Sequence, residues 1–297
     1  MQVRSTEPGG RGYWPVDLLT AAYLAVTGLL ILVSPLGMGT KASFVYAHFA
    51  LLAAVLLLGL LPRERPALWS FVRAVYPLAG LYVFYQGVQV LNRLTTARYY
   101  DPIVLRWEEQ LFACQPSQIF CRSVPWWPLS EFLHFAYAFY LLLIPIAVVG
   151  FLLTRQRAAL RLFTTSVMGT FFICYLAFVF FPVRGPFQHL GPIAPASKGF
   201  LFPQIVHALL TGSSSVGTAF PSSHVAVAVA IAIAAWPYLP RLRGLFVVAA
   251  AGIFFGTVYG GYHYAVDSLA GLIVGGGCGM LMPRLHRRLA VWLGVAG

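Results

Sequence analysis

The chain has 297 residues, 59% of them hydrophobic and 9% charged, with a formal net charge of +12 and a mean hydropathy of +0.78. Soluble domains carry about 25% charged residues, so an ordinary soluble fold is excluded, as is disorder, which needs few apolar residues and much charge. The apolar residues stand in runs of about 20 instead of alternating, which excludes a transmembrane barrel and points to an all-α, polytopic membrane helical bundle.

Met1 to Tyr13 is polar and glycine-rich and reads as a loose tail. The run Trp14 to Leu36 is longer than the 7–15 residues of a signal-peptide core and has no evident cleavage site, so it reads as a retained first span. Further spans are expected at 42–61, 68–91, 129–153, 160–181, 221–239, 244–261 and 263–283, about eight transmembrane helices in all. The third is the least regular, with Arg73, Gln86 and Gln89 inside it. Between the third and fourth, Asp101-Pro102 reads as an N-cap followed by a first-turn proline. The stripe Ile103, Trp107, Leu111 then predicts an interfacial helix near 101–113 lying on the membrane.

Basic residues sit in short clusters between the apolar runs, which is positive-inside patterning and not a nucleic-acid surface. With the N-terminus inside, thirteen Lys and Arg fall on the cytoplasmic side and seven outside, so both termini are expected in the cytoplasm. Cys174 and Cys278 lie in apolar runs and read as small hydrophobes. Cys114 and Cys121 share the long outer loop, where a disulfide would persist; a bridge and two buried free thiols both remain open.

Three short segments carry chemistry. Asp267 is the only acidic residue after Glu131, and His263 precedes it by four, a spacing that puts both on one helical face. A carboxylate there can fix an imidazole's tautomer, or simply make a structural His–Asp contact. Phe220-Pro221-Ser222-Ser223-His224 opens another span, where hydroxyls and free N–H groups can hold an anion or merely cap the helix. Pro182-Val183-Arg184-Gly185-Pro186 follows a span end, and its arginine suits phosphate as well as a snorkelling anchor. Residues 224 and 263 are separated by two crossings of about 20 residues each, so His263 returns to the membrane face where His224 began. Arg184 joins them without a crossing.

Arg184-Gly185-Pro186, Pro221-Ser222-Ser223-His224 and His263-Tyr264-Ala265-Val266-Asp267 resemble the three motifs of the type 2 phosphatidic acid phosphatase superfamily, over about 160–285. The resemblance implies that His263 is the nucleophile, Asp267 orients it, His224 protonates the leaving oxygen, and Arg184, Ser222 and Ser223 hold phosphate oxygens. It implies no metal and no cofactor. The family's lysine seven residues before the first-motif arginine is Ala177 here, and its arginine six before the nucleophile is Thr257. That reduced pattern resembles the inositol phosphorylceramide synthase-like branch, as does, weakly, Trp107-Glu108-Glu109-Gln110-Leu111-Phe112 followed by Pro116.

The resulting expectation is a lipid phosphotransferase passing a phosphorylated head group from a phospholipid donor to a lipid hydroxyl. Hydrolysis with water as acceptor is the first alternative. A transporter or membrane scaffold is the remote one, and no inverted repeat is visible for it. The expected layout is a cytoplasmic tail (1–14), membrane helices with a long extracytoplasmic loop (15–158), a catalytic core (159–285) and a cytoplasmic C-terminal segment (286–297). The expected setting is the plasma (inner) membrane, with the site on the extracytoplasmic face, membrane lipids as partners and no nucleic acid.

Overall fold

The computed structural model describes residues 12–34, 38–61, 67–191, 199–213 and 215–295. Thirteen α-helices lie among them: α1 (Pro15–Val33), α2 (Met38–Leu57), α3 (Ala67–Ala79), α4 (Leu81–Thr95), α5 (Asp101–Phe112), α6 (Pro116–Ser123), α7 (Trp127–Leu153), α8 (Arg157–Phe180), α9 (Pro186–His189), α10 (Phe202–Ser213), α11 (Ser223–Ala235), α12 (Arg243–Tyr259) and α13 (Ala265–Trp292). Extended pairing among the described residues is confined to one parallel bridge, Val183 with Thr218.

Five segments are long and apolar enough to cross a membrane: α1, α7, α8, Pro240–Tyr259 and α13. The expected eight are not confirmed: the runs at 42–61, 68–91 and 221–239 are not among these five, and for the last two the local structure gives the reason. The 68–91 run is broken at Gly80 into α3 and α4, of 13 and 15 residues. The 221–239 run yields α11 of only 13 residues, about 20 Å at 1.5 Å per residue against a hydrocarbon core of about 30 Å. Helix α10 occupies a stretch that the hydropathy pattern left as loop; the Glu131 carboxylate holds it by accepting from the backbone N–H groups of Leu201 and Phe202 at 3.0 Å each.

Helices α8 and α11 form the centre. Of the 13 residues of α11 ten are buried, on every face, which is what an all-apolar helix requires. It lies against α7, α8, α12 and α13. Its contact with α13 is very close, because Gly271, Gly275 and Gly279 of α13 form one stripe at four-residue spacing. A Cβ on Gly271 would sit 2.5 Å from the Ser222 carbonyl oxygen, and one on Gly275 2.3 Å from that of Ala226.

Arg73, the charged residue of the third apolar run, also finds a cause. Arg73 is buried and its guanidinium reaches Asp17 of α1 at 2.6 Å, with the Tyr76 hydroxyl donating to the other carboxylate oxygen at 2.8 Å. The expected loose tail is anchored where it is described: Gly12 accepts from Arg73, Tyr13 donates to Leu56, and Trp14 is buried. At the other end α13 runs on to Trp292, so the segment expected to follow residue 285 is a continuation of the last helix.

Candidate active site

Three chain reversals meet at one end of the bundle. The segment after α8 carries Arg184, the N-terminus of α11 carries Ser222, Ser223 and His224, and the turn between α12 and α13 carries His263, with Asp267 in the first turn of α13. The first two segments are joined through the Val183–Thr218 bridge, where Ala219 N–H donates to the Val183 carbonyl at 2.9 Å. Gly185 has φ +82, and a Cβ there would come within 3.0 Å of both Ala219 Cβ and the Tyr262 carbonyl oxygen, so only glycine fits this crossing.

His263 is 4% exposed. Its Nδ1 lies 3.0 Å from the Ala219 carbonyl oxygen and its Nε2 lies 3.4 Å from Nδ1 of His224. A carbonyl can only accept, so Nδ1 carries the proton and Nε2 keeps its lone pair facing His224. Burial pushes the imidazole pKa down to about 4, against the opposing pull of the Ala219 carbonyl, so the ring is neutral at neutral pH. His224 is held between the rings of Tyr137 and Tyr140, at centroid separations of 4.8 and 4.6 Å.

Asp267 stands differently from its sequence reading. His263 precedes α13, so the pair does not share a helical face; the helix starts two residues after it, at Ala265. Asp267 Oδ2 accepts from Tyr264 N–H at 2.8 Å, capping α13, and is 3.6 Å from His263 Nδ1, beyond hydrogen-bond length. The tautomer of His263 is therefore set by Ala219, which no sequence motif marks.

Arg184, Ser223, His224 and His263 all line one cavity of about 640 Å³. Ser222 is fully buried and does not line it; its hydroxyl accepts from Val225 N–H as the N-cap of α11. Among the described residues, Arg184 is the sole lysine or arginine in that lining. Its guanidinium donates to His189 Nδ1 and lies 5.0 Å from the Tyr99 ring centre. His189 thus approaches the site as an acceptor for Arg184; Lys198, the other basic residue considered in this loop, lies outside the described residues. Ala177 ends near the last turn of α8, and the Thr257 hydroxyl is taken up by Ser268 at 2.9 Å and the Phe254 carbonyl at 2.8 Å.

Away from the histidines the cavity is apolar. It follows Tyr140, Ile144 and Val148 of α7 and faces Val75 and Leu78 of α3. From Tyr137 to Val148 that wall is about 16 Å long at 1.5 Å per residue.

Sequence reasoning missed two carboxylates. The inward face of α5 is Asp101, Val104 and Glu108; of the predicted membrane-facing stripe, Leu111 is 64% exposed. Asp101 does not cap α5, whose N-cap is Tyr100. Its carboxylate accepts from the N–H groups of Arg184 and Gly185 at 3.1 Å each and from the Tyr264 hydroxyl at 3.2 Å. Glu108 accepts from Ala265 N–H. Trp107 lies over Phe181 and beside Phe220, at ring-centre separations of 5.7 Å each. The i, i+7 spacing of two acids in a chain with eight was the available signal. The disulfide is not formed. α5 ends at Ala113 in the left-handed region, leaving Cys114 in a turn, while Cys121 faces inward from α6 against Leu133 and Tyr259; both thiols are free.

Residues 103–281 match the family model of the PAP2 superfamily, so the match begins at α5 and not at the expected residue 160. A PA-phosphatase related-family protein of Dictyostelium discoideum is 32% identical over 121 residues, 39% of this chain and 22% of that protein. The aligned stretch is thus about a fifth of the relative's length. No solved structure matches.

Proposed function

The chain belongs to the PAP2 superfamily, and from that premise we propose that it is a lipid phosphotransferase working through a phosphohistidine on His263. The observation that carries this reading is the free Nε2 of His263 opposite His224, with Arg184 as the one described cation at the head of an apolar cavity. Nε2 attacks phosphorus, the ester bond to the diacylglycerol oxygen breaks, and His224, which becomes an imidazolium when the anionic phosphate enters beside it, supplies the proton to that oxygen and is left neutral. The head group then stays on His263 as a phosphoramidate. A second lipid's hydroxyl gives its proton back to His224, attacks phosphorus and frees Nε2.

A donor with one negative charge suits a site with one cation, whereas a phosphomonoester brings nearly two. Ala177 and Thr257 remove the two further cations of the phosphatase pattern, which favours the inositol phosphorylceramide synthase-like branch. Ser223 and the N–H groups at the start of α11 are the remaining phosphate donors. The shortness of α11 supports a lipid substrate: a helix of about 20 Å leaves its N-terminus roughly 10 Å inside a ~30 Å core if its other end lies at the opposite surface. At that end stand Arg155, Arg157, Arg241, Arg243, Arg284, Arg287 and Arg288, which the positive-inside rule assigns to the cytoplasm, with the site on the extracytoplasmic face. Hydrolysis is the second reading, favoured by the name of the Dictyostelium relative.

Mass spectrometry of vesicles containing phosphatidylinositol, phosphatidic acid and a long-chain lipid alcohol tests the choice. Transfer of the inositol phosphate head group to the alcohol, absent in His263→Ala, is expected. Free phosphate released from phosphatidic acid without any transfer product would establish the phosphatase instead.

A further inference from the structure

Helix α5 lies outside the three motifs, yet it touches two of them through side chains that are fully buried. Asp101 holds the backbone of Arg184 and Gly185, and Glu108, seven residues on and about 10 Å along the axis, holds Ala265 N–H. Ala265 is the first residue of α13, two past the nucleophile. Glu108 Oε2 and Asp267 Oδ1 are both buried and without a hydrogen-bond partner among the described residues. Asp267 holds Tyr264 N–H from the other side of the same turn. Two consecutive amides of the catalytic turn are therefore held by two different carboxylates.

We propose that Glu108 is a positioning residue, which fixes the turn carrying His263 when ionised and relaxes it when protonated. An ionised acceptor makes a hydrogen bond about twice as strong as a neutral one. Ala265 N–H feels that difference directly, and through Tyr264 so does the line from His263 Nδ1 to the Ala219 carbonyl. Glu108 is poised to switch near neutrality: burial pushes its carboxyl up to about 7, the Ala265 amide pulls it down, and the nearby Asp267 charge raises it. The titratable and charged groups around it are Asp267 and Tyr264 on the α13 side, Asp101 on its own helix, and Arg184, which is 3.6 Å from Asp101. Because ionisation strengthens the bond, activity rises with pH through the Glu108 pKa and falls below it.

The inference rests on His263 as the nucleophile. The test is the pH dependence of kcat for wild type, Glu108→Gln and Glu108→Ala in phosphatidylinositol vesicles, with His263→Ala alongside. Wild type should lose about tenfold in kcat between pH 8 and pH 5.5 through one group. Glu108→Gln keeps an acceptor oxygen but cannot ionise, so its profile should be flat over that range at the wild-type low-pH level. Glu108→Ala should be slower at every pH; if it does not fold, Glu108→Gln still decides. A Glu108→Gln profile that parallels wild type overturns the proposal, as does a Glu108→Ala enzyme with wild-type rates. Full turnover in His263→Ala would instead remove the underlying reading of the nucleophile.

Discussion

The catalytic geometry depends on how closely α11 and α13 approach, and Gly271→Ala tests this with a single carbon atom. The added Cβ would lie 2.5 Å from the Ser222 carbonyl oxygen, against about 3.4 Å for ordinary contact. Both atoms belong to helix frameworks, so the clash cannot be relieved by a rotamer change; the helices must separate locally by nearly 1 Å. Ser222 begins the helix that carries His224, whereas Gly271 belongs to the helix that follows His263. The separation therefore appears in the His224–His263 distance, now 3.4 Å. A misplacement of about 1 Å can cost about 10²-fold in rate, and overpacking costs about 1–3 kcal/mol of stability, partly offset by the roughly 1 kcal/mol that alanine gains over glycine in a helix. Gly276→Ala and Gly277→Ala are the controls, since a Cβ on either meets nothing within 4 Å. Turnover of purified protein in nanodiscs, with thermal melting of the same samples, should show Gly271→Ala folded and about 10²-fold slower while both controls keep wild-type rates. Wild-type turnover in Gly271→Ala would refute the claim that this helix contact sets the site.

His224→Ala should slow formation of the intermediate by about 10²–10⁴-fold, the usual worth of general acid catalysis, measured by single-turnover release of diacylglycerol. Asp267→Asn should cost about 10²–10³-fold from the weakened hold on Tyr264 N–H, short of the ~10⁴-fold of a tautomer error, because Ala219 retains the Nδ1 proton; a loss as large as His263→Ala would return the orienting role to Asp267. For topology, cysteines placed at Arg122 and Arg157 in a Cys114→Ser background should label oppositely with an impermeant reagent on intact cells. Equal labelling would reject the orientation.

Composition and hydropathy made the all-helical membrane class legible, because the bilayer demands long apolar runs whatever the fold. They did not resolve the break at Gly80 or the shortness of α11, since a buried apolar helix and a spanning one have the same local pattern. The gathering of Arg184, Ser223, His224 and His263 was legible for a simpler reason: the 224–263 spacing holds one helix out and one back, α11 and α12, which returns His263 to the end of the bundle where His224 begins. What spacing could not reveal was the use of each polar atom. Ser222 is spent on its helix cap, Asp267 on another, and the carbonyl that fixes His263 belongs to Ala219, whose side chain has no chemistry. On α5, the stripe Ile103, Trp107, Leu111 draws the eye to a membrane-lying face, whereas the buried face carries Asp101 and Glu108, whose carboxylates accept from backbone amides of two other segments. The glycine stripe of α13 becomes meaningful only once Ser222 and Ala226 are seen beneath it.

The central claim is that the phosphoryl group passes through Nε2 of His263. Rapid quenching of the enzyme during turnover of phosphatidylinositol, followed by peptide mapping at alkaline pH, tests it most directly. The predicted result is an acid-labile phosphoramidate bearing the inositol head group on His263, formed faster than product and absent from His263→Ala. Steady turnover with no adduct on His263 at any quench time, and undiminished turnover in His263→Ala, would contradict it.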